Sequence, residues 1–356
     1  MDRFASGRAA VALALSMGVL AGAALPAAAE ERTLTLMTHD SFYLPEVVLE
    51  SFEASHDVDL RVLPAGDAGS MVNQAILTAD RPLADVLFGI DNTFLSRALE
   101  ADIFEPYQSA ALANVPAELQ LDAGGRVTPI DFGDVCVNLD RAAFGDDGLP
   151  LPTSLEDLAD PALAGKLVVE NPATSSPGLA FLLATVAHFG EDPETGWRAY
   201  WSDLRENDVT VTSDWNAAYY GHFSGGVDSE GDKPLVVSYA SSPVAEAIYG
   251  PDPEVEQSPT GVLEASCFRQ IEFAGILRGG AEPELAGALI DHLLSVEVQA
   301  ELPLAMFVYP ARSDVALPDS FERHALVPAV PLSLDPAAID AGREAWISEW
   351  TDIVLR

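Results

Sequence analysis

The chain has 356 residues and carries 56 acidic against 18 basic side chains, a formal charge of −38. Lys166 and Lys233 are its only lysines. Such a charge excludes nucleic acid and anionic membrane as partners, since both would repel it. It attracts cations over short distances, and most of the carboxylates read as a solvated surface suited to a salty medium.

At the start of the chain, Arg3 and Arg8 precede an apolar run over 9–25 and then Pro26-Ala27-Ala28-Ala29. A basic start, an apolar middle and a small-residue end predict a secretory signal peptide over 1–29, cut after Ala29. A membrane anchor fits less well, because the run is short and contains glycine. No cysteine follows the cut to accept a lipid, so the mature chain of about 327 residues is expected free in the periplasm, with room for two domains. For Cys136 and Cys267, an oxidising compartment leaves one disulfide and two separate buried thiols equally open. There is no Cys-x-x-Cys and no Cys/His cluster, so neither a structural zinc nor a cofactor is expected.

Residues 33–38 alternate as a strand, 46–55 have helical periodicity, and 59–63 read as the next strand. A helix over 70–79, a buried strand over 85–90 and a helix over 93–101 capped by Asp91 complete a first α/β set. Ligands of such sheets lie beyond the carboxyl ends of the strands, which directs attention to 39–41, 65–70 and 91–92. Residues 129–140, PIDFGDVCVNLD, form one long extended run with Gly133 in its middle. A second set follows, with strands over 167–170, 209–212 and 235–239 and helices over 178–189, 196–206, 215–223 and 244–249. Residues 266–277 are again extended, and helices are predicted over 283–294, near Glu297 and over 336–353. Two long extended runs flanking the second set suggest two lobes joined by two crossing strands, a hinged clamp with its ligand between the lobes. Lobe 1 is expected over 30–132 plus 273–356 and lobe 2 over 133–272, with crossings near 130–137 and 266–274.

The segment Asn171-Pro172-Ala173-Thr174-Ser175-Ser176-Pro177-Gly178 opens an apolar helix, and Ser238-Tyr239-Ala240-Ser241-Ser242-Pro243 repeats its chemistry. Hydroxyls and free N–H groups at the positive end of a helix suit phosphate or carboxylate, although plain N-capping has the same signature. Two such segments in one lobe favour anion binding. Trp215, Tyr219, Tyr220, Tyr239, Phe307 and Tyr309 lie in the cleft segments, where aromatic faces would hold a flat cation at about 0.5–2 kcal/mol each. Trp346 and Trp350, four apart on the last helix, read as packing.

These motifs, with Thr38-His39-Asp40-Ser41-Phe42, Ala84–Asn92, Val209–Trp215, Tyr309-Pro310 and Ala345–Trp350, resemble the thiamine-binding periplasmic proteins of bacterial ABC importers over nearly all of the mature chain. The resemblance implies an α/β fold of the two-lobed periplasmic binding protein class, type II-like, each lobe a mainly parallel sheet flanked by helices. It implies a monomer that delivers thiamine or a thiamine phosphate to an importer permease. It places Trp215, Tyr239 and Phe307 on the thiamine rings, Ser175 with Thr174, Ser176 and Gly178 on the phosphate, and His39, Asp40, Ser41 and Asp91 at the cleft edge. Tyr219, Ser242 and Tyr309 complete the expected binding set. His39 stands where the family pattern suggests Tyr, Phe307 where Trp is common and Ala245 where an aromatic often sits, so the aromatic cage is thinner.

Two other readings compete. Tyr219-Tyr220 could offer phenolates to ferric ion, but helical neighbours point about 100° apart. A secreted thiaminase-like enzyme would use Cys136 as nucleophile and Glu272 as base, both on the crossing strands.

Overall fold

The first strand, β1 (Arg32–Thr38), alternates exposed and buried residues at its start and then buries Leu36, Met37 and Thr38. It leads through α1 (Glu46–His56), β2 (Val58–Pro64) and α2 (Ala68–Leu77) to β3 (Val86–Asp91), α3 (Leu95–Glu100) and the short β4 (Phe104–Glu105). The computed structural model describes residues 32–145 and 148–356; the signal peptide expected over 1–29 lies outside the described residues. Every residue of β3 is buried, as its uninterrupted apolar run requires of a strand covered on both faces. Asp85, just before it, accepts N–H bonds from Thr35, Ala281 and Glu282, so one carboxylate ties two adjacent strands to a later turn.

The chain then crosses through β5 (Thr128–Asp140) and builds β6 (Leu167–Glu170), α4 (Ser176–Phe189), α5 (Trp197–Glu206), β7 (Thr210–Thr212), α6 (Trp215–His222), β8 (Leu235–Tyr239) and α7 (Ser242–Ile248). It returns along β9 (Thr260–Leu277), the longest strand, to α8 (Pro283–Leu293), α9 (Val296–Ala305), β10 (Tyr309–Pro310), α10 (Asp319–His324) and α11 (Pro336–Val354). On α11, Trp350 is fully buried edge-on to Trp201 of α5, and the Trp346 indole N–H bonds Glu191, so both indoles anchor the last helix.

The sheet runs β2-β1-β3-β9-β5-β8-β6-β7, with β4 beside β9 and β10 beside β5. Parallel pairing is confined to β2-β1-β3 and to β8-β6-β7. Each flanking set is thus parallel as expected, and the whole sheet is mixed because β5 and β9 run antiparallel to every strand they touch. A chain that crosses once and returns must lay its two crossing strands antiparallel, and these two form the centre. Cys136 of β5 and Cys267 of β9 form a disulfide, so the two alternatives left open by the sequence resolve to one bond joining the crossing strands.

Candidate functional site

A cavity of about 560 Å³ opens over β5 and β9, between α2 and the β1–α1 loop on one side and α6, α7 and the α9–β10 turn on the other. Its floor is acidic because of strand register. Asp91 of β3 faces Glu272 of β9, and Glu272 faces Asp131 of β5, which sets three carboxylates in a row across adjacent strands. Burial pushes the Asp91 carboxyl up to about 6, helped by repulsion from Glu272 and opposed by bonds from Thr93. Burial pushes Asp131 well above the carboxylate range, with Glu272 adding to the effect, and neither Asp131 oxygen has a partner.

Of the three, Glu272 reaches the cavity, and its Oε2 lies 3.6 Å from His39 Nε2 without a hydrogen bond. Burial alone would lower the His39 imidazole. The carboxylate of Glu272, with Asp67 and Asp40 behind it, more than offsets that and leaves its pKa above the ordinary value. Gln270 organises the back wall: its amide N–H groups reach Ser176 Oγ at 3.2 Å and Glu272 Oε1 at 3.3 Å. Gly133 lets β5 pass under the Tyr239 ring, since a Cβ there would stand 3.0 Å from that ring.

The opposite wall is aromatic. Asp214 caps α6 by accepting the Ala217 N–H, which starts the helix with Trp215 facing the cavity. The Trp215 ring stacks on Tyr219 with centroids 4.8 Å apart, and its indole N–H donates to Ser238 Oγ at 2.9 Å. Ser238 in turn bonds Ser242 at 2.8 Å, so the wall is held by a chain of hydroxyls. The buried Tyr219 hydroxyl donates to Glu246 at 2.7 Å, and the Val227 N–H donates to the other Glu246 oxygen. Phe307 closes the top at φ 56°, a left-handed conformation costly for an aromatic residue, held where its carbonyl accepts from Ser241. Tyr43, Tyr220 and Tyr249 stand exposed at the rim.

Among the residues expected at the site, His39 and Ser41 line one side, Ser176 the back, Trp215, Tyr219, Tyr239 and Ser242 the far wall, and Phe307 the top. The others lie outside the lining. Asp40 is exposed and accepts the Gly66 N–H at 2.9 Å. Asp91 lies in the floor, bonded to the Thr93 N–H. Thr174 donates its hydroxyl to the Ser213 carbonyl, and Ser175 is wholly buried as the N-cap of α4. Gly178 packs against β6, where a Cβ would come within 2.5 Å of the Glu170 carbonyl oxygen. Tyr309 stacks on Phe132 at 5.2 Å and meets Phe321 edge-on, so it packs the core beneath the top.

Sequence reasoning missed Asp67 and Glu246. Asp67 falls in the strand-end segment 65–70 that the topology rule singled out, and Glu246 is the lone carboxylate in the apolar turn Val244–Ile248. The ferric reading meets an obstacle in Tyr219. Burial and the adjacent Glu246 push its phenol well above the ordinary range, which disfavours a phenolate ligand. The enzymatic reading loses its nucleophile, because Cys136 is bonded to Cys267 and offers no thiolate.

A family profile described as bacterial extracellular solute-binding protein matches residues 81–331. The chain belongs to that family. It is 30% identical over 328 residues to the thiamine-binding periplasmic protein of Escherichia coli, covering 91% of this chain and 94% of that one. It is 28% identical to the protein of the same name from Brucella suis, covering 91% and 93%. A solved periplasmic thiamin binding protein superposes with a TM-score of 0.79 at 30% identity, covering 93% of this chain and 98% of that one. Iron-bound HitA from Pseudomonas aeruginosa, at 19% identity and a TM-score of 0.66, shares the fold of this extracellular solute-binding chain over 90% of its length and 99% of HitA. The fold is thus the two-lobed one of the periplasmic binding proteins.

Proposed function

We propose that this chain captures thiamine in the periplasm and delivers it, unaltered, to the permease of an ABC importer. One observation carries the reading: a stacked aromatic wall, Trp215 on Tyr219, faces the buried, unpartnered Glu272 oxygen across a cavity of about 560 Å³. That volume lies within the about 300–1,000 Å³ usual for small-molecule clefts. An aromatic face opposite a carboxylate suits a flat, positively charged heterocycle, held by stacking, cation–π attraction and charge. The relatives named for thiamine support the same ligand.

The lobes in this reading are 30–132 with 273–356 and 133–272, hinged where β5 and β9 cross. Ligand shifts the open–closed balance only by its preference for the closed form. Periplasmic delivery agrees with the relatives' location, and no helix among the described residues is long and apolar enough to cross a membrane.

Calorimetric titration of the ligand-stripped protein with thiamine, followed by mass analysis of the recovered ligand, tests this. Binding with intact recovery is expected, and Trp215→Ala should weaken it by about tenfold or more through loss of the stacking face. Absence of binding, or recovery of cleaved ligand, would overturn the reading.

A further inference from the structure

Gln270 sits in the middle of the return crossing, 1% exposed and outside the cavity lining, and its side chain bonds three residues around the cavity. Its Nε2 donates to Ser176 Oγ in the first turn of α4 at 3.2 Å and to Glu272 Oε1 at 3.3 Å, and its Oε1 accepts the Tyr239 hydroxyl at 3.4 Å. An ionised carboxylate only accepts, so the amide nitrogen has to face Glu272. Gln270 stands opposite Gly133 of β5, and the missing side chain there lets the Tyr239 ring reach across to it. Behind it, Asn92 extends the ladder where β3 ends: its Nδ2 donates to the Arg269 carbonyl at 3.2 Å and its Oδ1 accepts the Ile271 N–H at 2.8 Å. The strand is thus gripped on both sides of residue 270, and the amide is presented in one place.

The amide decides where the Glu272 carboxylate points. Gln270 engages Oε1, while Oε2 has no hydrogen-bond partner and lies 3.6 Å from His39 Nε2. The imidazole is drawn to that oxygen, with Asp67 and Asp40 also favouring its charged form, and Asp91 and Asp131 flank Glu272 from the adjacent strands. Without the amide, the carboxylate is free to turn Oε2 onto His39 and close an internal ion pair. A cation entering the cavity would then have to displace the imidazolium before it met the carboxylate. With the amide in place, Oε2 stays open to the cavity.

We infer that Gln270 is a positioning residue for cation capture: by holding one Glu272 oxygen and the Tyr239 hydroxyl, it keeps the other Glu272 oxygen available to the ligand rather than to His39. The inference rests on the thiamine reading and adds to it a residue that lies behind the cavity wall and acts through two that line it.

The test is calorimetric titration of the ligand-stripped mature protein with thiamine, in the native chain, Gln270→Leu, His39→Gln and the double variant, at about pH 6 and about pH 8. A neutral thiamine analogue, with carbon in place of the charged ring nitrogen, is titrated alongside. Gln270→Leu should weaken thiamine by about tenfold or more at the lower pH, where the imidazole is charged, and by less at the higher. The same change should cost much less in the His39→Gln chain, which lacks the competitor, and less for the neutral analogue. Undiminished thiamine affinity in Gln270→Leu overturns the inference and leaves the thiamine reading standing. A loss that is equal at both pH values, in both backgrounds and for both ligands makes Gln270 a packing residue and overturns it as well. Failure of thiamine to bind the native chain removes the functional reading and this inference with it. Should Gln270→Leu not fold, Gln270→Met, unbranched like glutamine and equally unable to donate, takes its place in the same series.

Discussion

His39 and Glu272 concentrate the site's response to pH. The imidazole pKa is raised, so the charged pair contributes stability fully present below the unfolded value, about 6.5, and lost as pH rises through the folded value. A cationic ligand beside Glu272 competes with the imidazolium, so binding releases a proton and affinity should rise with pH. Asp91, at about 6, ionises in the same window and adds negative charge beside Glu272. We expect thiamine affinity to increase by about threefold to tenfold between about pH 6 and about pH 8. His39→Gln should remove much of that slope and leave the part due to Asp91; titrations across the range in both chains check this, and an unchanged slope would remove His39 from the site.

Among the elements, β5 and β9 do most of the organising. They place Asp131 and Glu272 in register, carry Gly133 under Tyr239 and are bonded through Cys136–Cys267. The disulfide links residues 131 apart in sequence, so it closes a long loop in the unfolded chain. Constraint of that ensemble is worth about 2–5 kcal/mol. Cys136→Ser with Cys267→Ser should lower unfolding stability by that amount in denaturant titration, while intact thiamine is still bound when the protein is folded. Loss of less than about 0.5 kcal/mol would mean that strand pairing alone holds the crossing.

At the scale of the whole molecule, the charge of −38 opposes compaction. Most of the described acidic side chains are at least partly exposed, where ions screen them over about 10 Å at about 0.1 M salt. Thermal stability should therefore rise with added sodium chloride, by several degrees between dilute buffer and about 1 M, as calorimetric melting would record. A melting temperature independent of salt would show that the surface charges are already balanced by local pairing, such as Arg198 with Glu191 and Glu349. The same screening weakens cation capture, so stability and thiamine affinity should move in opposite directions with salt.

Much of this architecture was legible in the sequence because it depends on local pattern. The apolar run of β3 and the periodicity of α4 and α11 declare themselves within a short window, as do the two long extended runs that became β5 and β9. The aromatic wall was legible too, because Trp215 and Tyr219 follow a strand end and its cap. Only the tertiary structure decided pairing and depth. Whether Cys136 meets Cys267, and whether Asp91, Glu272 and Asp131 form a row, are questions of register between strands far apart in the chain. Ser175 and Asp67 look equally available in the sequence. Folding buries the first as a cap and carries the second into the cavity lining, where it accepts the Trp215 N–H at the start of α6, because close packing, not residue type, determines which polar group faces the cavity.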